Sequence, residues 1–253
     1  KKEYTAAVIA SSGLLGLIIP PSGTMLMYAI VADVSVLEMF TGGIIPGIIM
    51  GLSLMVVEYF RAKKNGYGTS ELDIAEFHTQ SKAKIVIQSF LALLSPVIIL
   101  GGIYSGKFTA TEAAGVSVLY GFIIGYFVFK QLNIKKAYEA CVKTGVSTSM
   151  ILFLIGAAAV FGWMLTMQQI PNQIVAAISG ITSSPAVVLL LVNLALFVAG
   201  ALLDNVAAIT LLTPVLVPLI SAYGIDKTFF GIIMIINLSI GQIHPPLPMA
   251  FPL

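Results

Sequence analysis

Residues 13–22 read Gly13-Leu14-Leu15-Gly16-Leu17-Ile18-Ile19-Pro20-Pro21-Ser22, and residues 238–247 read Leu238-Ser239-Ile240-Gly241-Gln242-Ile243-His244-Pro245-Pro246-Leu247. In both, three residues separate a glycine from a Pro-Pro pair, inside a run that is otherwise apolar. Two prolines remove two amide donors and clash with the preceding turn, so a regular helix cannot continue through them. Backbone freed at such a break cannot face lipid; it must be buried in protein or line a cavity. Breaks at corresponding places in two halves of a membrane protein point to a transporter's binding site.

Composition sets the frame. The chain is 58% hydrophobic and 9% charged, with a mean hydropathy of +1.01, whereas a soluble domain carries about 25% charge. This is the composition of a multi-pass helical membrane protein embedded in a lipid bilayer. Arg61 is the only arginine, so no arginine cluster exists for nucleic acid or for clamping a carboxylate. The single Cys141 excludes an internal disulfide and a cysteine metal site. The chain opens on Lys1 rather than Met and stops shortly after the second Pro-Pro pair, which reads as an internal fragment of a longer protein.

Apolar stretches of spanning length cover 5–31, 39–60, 85–104, 113–129, 146–168 and 228–253, the first and last of them broken. The block 185–221 is too long for one span and is interrupted by Gly200, Asp204, Asn205, Pro214 and Pro218. Two half-length helices meeting at Asp204-Asn205, a re-entrant hairpin, fit it. If the first span runs outward from the cytoplasm and the hairpin makes no net crossing, eleven basic residues are cytoplasmic. Only Lys107 and Lys227 lie outside, a strong positive-inside bias. The two broken helices then point in opposite directions, as in an inverted repeat. Residues 61–84 form a polar cytoplasmic connector that carries His78, residues 130–144 a basic amphipathic helix at the inner surface, and residues 170–184 an outer arm. The expected organisation is all-α. It comprises a broken helix (1–31), a helix with its loop (32–84), two helices with the amphipathic segment (85–144), a helix and arm (145–184), and the hairpin with the second broken helix (185–253).

Carbonyls that lose their amide partners at Gly16–Ser22 and Gly241–Leu247 suit a hard cation, and positive helix N-termini suit an anion. Ser22 adds a hydroxyl. Ser12 and Asn237 precede the two breaks at the same offset. Asp204 is the one acid well inside an apolar block, and it serves either as a helix cap or as a contact to ion or substrate. Thr109 and Glu112 form a capping box. Asn193 and Thr210 are placed to bond between helices. No metal-ligand spacing, hydrolase elbow or phosphate loop occurs, so the chain is read as neither an enzyme nor an ATPase.

These motifs resemble the large membrane subunit of tripartite ATP-independent periplasmic transporters. The resemblance runs through Ala10–Ser22, Pro46-Gly47, Pro96–Ala114, Gly200–Asp204 and Asn237–Gly241. It implies an elevator-type fold in the bacterial inner membrane, importing an organic acid anion with sodium as coupling ion and no other cofactor. It also implies two partners, a small membrane subunit and a periplasmic substrate-binding protein. Carried over residue by residue, one sodium site falls on Gly16, Ile19 and Pro21. The mirrored site falls on Gly241, His244 and Pro246, facing the hairpin. Pro20, Ser22, Asp204, Asn205 and Pro245 then lie at the substrate or the hairpin tip. His244 and Pro248 stand where the family usually has Thr and Gly; a backbone ligand survives that change and a hydroxyl ligand does not. Two other readings remain open from sequence: a self-sufficient dicarboxylate symporter or exchanger, and a non-transporting membrane scaffold.

Overall fold

The computed structural model describes residues 2–66 and 82–243. His78, His244, Pro245, Pro246 and Pro248 lie outside the described residues. Among the described residues the regular structure is entirely helical. Five helices among the described residues are long and apolar enough to cross a membrane, and a bent pair, Tyr4–Ile18 with Gly23–Ala32, brings that number to as many as six. The chain divides into two compact units, residues 1–54 with 147–253, and residues 55–146.

The first unit opens with α1 (Lys2–Gly13), α2 (Leu15–Ile18) and α3 (Gly23–Ala32). Ser11 Oγ donates back to the Ala7 and Val8 carbonyls, a contact that competes with the helical ladder just before the chain loosens at Gly13. The full break falls at Ile19–Ser22, where the Pro20–Pro21 bond is cis and the flanking helices meet at 41°. Helix α4 (Val36–Asn65) follows, with Pro46 inside it. Its glycines lie against the broken segment: a Cβ on Gly47 would sit 2.8 Å from Ile19 Cγ1, and one on Gly43 would overlap the end of Met25.

The core of this unit lies among α3, α9 (Pro185–Leu202), α10 (Asn205–Ala222) and α11 (Lys227–Gly241). Met25, Tyr28, Leu196, Ile209, Phe230 and Met234 are fully buried there. The Tyr28 ring fits against α11 only because residue 231 is glycine; a Cβ there would come within 2.2 Å of the ring. The Tyr28 hydroxyl donates to the Lys227 carbonyl at 2.8 Å. A buried phenol needs such a partner, and this one ties α3 to the start of α11. Asn237 donates to Asn193, joining α11 to α9. The short α8 (Ile170–Ser179) packs on α10, and Tyr223 at the end of α10 donates to the Thr182 carbonyl at 2.9 Å.

The second unit is built around an antiparallel pair, α5 (Lys82–Tyr104) and α6 (Ala110–Ile123), extended by a π-helical turn at Ile124–Val128. Their connection turns at Gly106, with φ of 68°, and the Phe108 ring folds over Gly102, where a Cβ would meet it at 2.4 Å. The Tyr120 hydroxyl reaches the Leu91 carbonyl at 2.7 Å. The capping box is present: the Thr109 amide donates to Glu112 Oε2 at 2.8 Å and the Glu112 amide to Thr109 Oγ1 at 3.3 Å. Thr109→Ala is expected to destabilise the protein by about 1 kcal/mol, and Thr109→Ser by little; thermal unfolding of the two variants checks this.

Two sequence expectations change. Residues 134–144 of the basic stretch and the apolar span after them are not separate elements but one helix, α7 (Ile134–Met167), of 34 residues. At 1.5 Å per residue it is about 51 Å long, well beyond a hydrocarbon core of about 30 Å. No Pro or Gly pair interrupts it, and Gly145 alone does not stop a helix. The hairpin arms are also longer than half-length. α9 and α10 have 18 residues each, about 27 Å, because Pro214 and Pro218 are accommodated inside α10 instead of ending it. Two full crossings return the chain to the same side just as none does, so the charge bias is unaffected.

Candidate functional site

A helical residue's carbonyl accepts from the amide four residues on. Pro20 and Pro21 have no amide hydrogen, so the Gly16 and Leu17 carbonyls lose their donors. The two fare differently. Thr24 Oγ1 donates to the Leu17 carbonyl at 2.7 Å, Ser22 Oγ donates to the same oxygen, and the two hydroxyls lie 2.8 Å apart. Ser22 also caps α3, accepting from the Met25 amide at 3.4 Å. Ser22 and Thr24 are buried. The Leu17 oxygen therefore accepts from two buried hydroxyls. Gly16 is exposed and a Cβ on it would meet nothing within 4 Å. Ile19 is 42% exposed, Pro20 buried and Pro21 half-buried. Of the two freed carbonyls, Leu17 gains two hydroxyl donors; Gly16, an exposed residue, loses its helical donor to Pro20.

The second half presents a hairpin tip against a helix end. α9 ends with Leu203 extended, its amide bonded to the Ala199 carbonyl at 2.8 Å. Asp204 caps α10, accepting from the Val206 amide at 2.9 Å, and its side chain is exposed. At this tip the carbonyl end of α9 meets the amide end of α10, so negative and positive helix termini stand side by side. Gly200 and Gly241 bring the tip onto α11 by backbone contact. A Cβ on Gly241 would lie 2.8 Å from the Gly200 backbone and 2.9 Å from the Phe197 carbonyl, and a Cβ on Gly200 would lie 2.7 Å from the Leu238 carbonyl. Asn205, next to the cap, is buried, with Nδ2 3.5 Å from Ser239 Oγ.

The structure thus gathers Gly16, Ile19, Pro20, Pro21 and Ser22 at one break, and Asp204 and Asn205 at the hairpin tip, with Gly241 beside Gly200. Thr24 and Ser239 belong to these groups and were not singled out from sequence; Gly200, read there as an interruption of the apolar block and not as a site residue, belongs to them too. Gly200 had a signal: it lies four residues before Asp204, as Gly16 and Gly241 lie four before their prolines. A separate cavity of about 340 Å³ lies among α3, α7 and α10, lined by Ile30, Ala158, Gly162, Thr166, Thr210 and Pro214 among others. None of the break or tip residues lines it. Its two threonines donate back to the Gly162 and Val206 carbonyls of their own helices, so it offers no spare donor.

Asp204→Asn keeps an N-cap and removes the charge, whereas Asp204→Ala removes both. The alanine variant is expected to lose about 1 kcal/mol and the asparagine variant almost nothing. Thermal unfolding of the pair separates the cap from the charge.

An all-helical chain with five helices of spanning length among the described residues, and a backbone break at Pro20-Pro21, is of the multi-pass helical membrane class. The whole of residues 1–252 matches the family model described as tripartite ATP-independent periplasmic transporter, DctM component, and the chain belongs to that family. It is 38% identical over 248 residues to the sialic acid TRAP transporter large permease protein SiaM of Vibrio cholerae, covering 98% of this chain and 57% of that protein. It is 37% identical over 245 residues to the isethionate TRAP transporter permease protein DctMQ of Oleidesulfovibrio alaskensis, 97% of this chain and 38% of that protein. It is 36% identical over 246 residues to the C4-dicarboxylate TRAP transporter large permease protein DctM of Pseudomonas aeruginosa, 97% of this chain and 56% of that protein. The chain therefore spans about half the length, or less, of these relatives.

Proposed function

We propose that this chain is the part of a TRAP-type large membrane subunit that holds the coupling ion and the anion. The complete transporter imports a small organic acid anion across the bacterial inner membrane, driven by a sodium gradient. A periplasmic binding protein delivers the substrate and a small membrane subunit completes the assembly. The relatives named for sialic acid, isethionate and C4-dicarboxylates all take acidic solutes, which supports the anion class.

The observation that carries the reading is the unequal treatment of the two freed carbonyls. Ser22 and Thr24 bond the Leu17 oxygen, while Gly16, whose carbonyl is deprived of its helical donor by Pro20, is an exposed residue. A bare carbonyl at a helix break suits a sodium ion. The anion is held by helix N-termini, amides and hydroxyls, since the segment 185–226 contains no Lys or Arg. The mirrored sodium site at Gly241, His244 and Pro246, the inverted repeat and the elevator movement are parts of the same proposal.

The test is uptake of labelled organic acids, among them sialic acid, isethionate and C4-dicarboxylates, by proteoliposomes holding the complete large subunit and its small subunit. The binding protein is added or omitted. Uptake that requires the binding protein supports the tripartite reading. Uptake without it supports a self-sufficient symporter, and no uptake of any acid by correctly inserted protein contradicts transport.

A further inference from the structure

The end of α6 folds back on itself. Its ladder widens into the π-helical turn at Ile124–Val128, where the Phe129 amide bonds the Ile124 carbonyl five residues earlier at 2.9 Å. The chain reverses at Lys130, which is left-handed with φ of 51°. The Gln131 and Leu132 amides then both donate to the Gly125 carbonyl at 3.1 Å. Lys136 Nζ fastens the reversal by donating to the Gln131 carbonyl at 3.0 Å. Asn133 Oδ1 caps α7, accepting from the Lys136 amide at 2.8 Å. Between the end of α6 and the start of α7 this leaves a notch of about 240 Å³, lined by Phe122, Tyr126, Phe127, Leu132, Ile134 and Ala137 among others.

The surroundings select what fills it. The wall is apolar, and Phe127 and Ile134 are 68% and 84% exposed. Aromatic residues at the end of a spanning helix belong at the membrane interface. The charge beside the notch has one sign. Lys130, Lys135, Lys136 and Lys143 are all exposed, and Glu139 is the one acid between residues 113 and 146. The amino end of α7 adds its positive dipole. The distribution of basic residues puts this end at the cytoplasmic face, where the leaflet is anionic and basic pockets take lipid head groups. A soluble anion has no use for the apolar wall. A helix of another protein does not fit inside it, because one turn, about 10 Å across and about 5.4 Å tall, fills about 420 Å³.

We propose that this notch binds an anionic phospholipid of the inner leaflet. Part of an acyl chain lies in the notch, and the head group meets Lys130, Lys135 and the amino end of α7. The bound lipid bridges the end of α6 and the start of α7, and this role is independent of the coupling ion.

The test titrates the delipidated complete transporter with phosphatidylglycerol or with phosphatidylcholine of the same chains, reading bound lipid by native mass spectrometry. Wild type is expected to bind phosphatidylglycerol in preference. A lysine at an anionic lipid contributes about fivefold in affinity, so Lys130→Gln with Lys135→Gln is expected to weaken phosphatidylglycerol binding about 25-fold. Phosphatidylcholine binding is expected to change little, and the double arginine variant to keep the preference. Ala137→Phe, which fills the notch, is expected to weaken both lipids. Glycerol phosphate, a head group without chains, is expected not to compete at the concentration of the lipid. Unchanged phosphatidylglycerol affinity in the glutamine variant would overturn the proposal. So would competition by glycerol phosphate, which marks a site for a soluble anion. Loss of the lipid from the isolated large subunit when the small subunit is added would assign the notch to a protein contact instead.

Discussion

Gly16→Leu is expected to lower uptake at least about 100-fold, equivalent to about 2.7 kcal/mol, while leaving stability within about 0.5 kcal/mol. The asymmetry follows from the local geometry. A Cβ at residue 16 meets nothing within 4 Å, so the side chain has room and the helix gains a better former than glycine. The same residue carries the carbonyl that Pro20 leaves without a helical donor. On the proposed function, a bulky side chain at this residue crowds the break where the ion is to be held. Gly16→Ala, with a single methyl, is expected to give an intermediate loss. Initial uptake rates and unfolding midpoints on the same preparations check both halves, and normal uptake by correctly inserted Gly16→Leu protein would contradict the site.

Gly241→Leu is expected to lose uptake to a similar extent for a different reason, and to lose stability as well. Its Cβ would come within 2.8 Å of the Gly200 backbone and 2.9 Å of the Phe197 carbonyl. Backbone cannot rotate away as a side-chain tip can, so α9 and α11 must separate. Overpacking of this kind costs about 1–3 kcal/mol. It also pulls the hairpin tip off α11, weakening the Asn205–Ser239 contact, already 3.5 Å long. Even Gly241→Ala is expected to show part of the effect, which sets it apart from Gly16→Ala. Equal stability losses at the two glycines would contradict this division between an open position and a packed crossing.

Local rules made much of this architecture legible in the sequence. Pro20-Pro21 forecast the break because missing donors and steric clash are properties of the dipeptide itself. Asp204 forecast the hairpin turn, and Thr109 with Glu112 forecast a helix start, because caps are written within four residues. What stayed hidden depends on residues far apart in the chain. That Gly200 meets Gly241, that Gly231 seats Tyr28 and that Asn205 faces Ser239 are facts of packing between helices. No periodicity announces them in segments that are apolar on all sides. The uniform apolarity of 185–221 concealed the length of the hairpin arms, and in α7 the change from a basic to an apolar stretch near Gly145 looked like a boundary between two helices: hydropathy marks where a span is, not where its helix stops. Thr24 was overlooked because, from sequence, it is one more hydroxyl in the first turn of α3. Only the fold reveals that it and Ser22 close over the same carbonyl, that of Leu17.

The most direct measurement is simultaneous uptake of labelled sodium and labelled substrate into proteoliposomes, for wild type and Gly16→Leu, with the binding protein present. The account predicts that wild-type substrate uptake rises and falls with the sodium gradient, that sodium enters with it in fixed ratio, and that Gly16→Leu loses both fluxes together. Substrate entry at an undiminished rate when choline replaces sodium, or in the Gly16→Leu protein, would contradict the claim that the helix break holds the coupling ion.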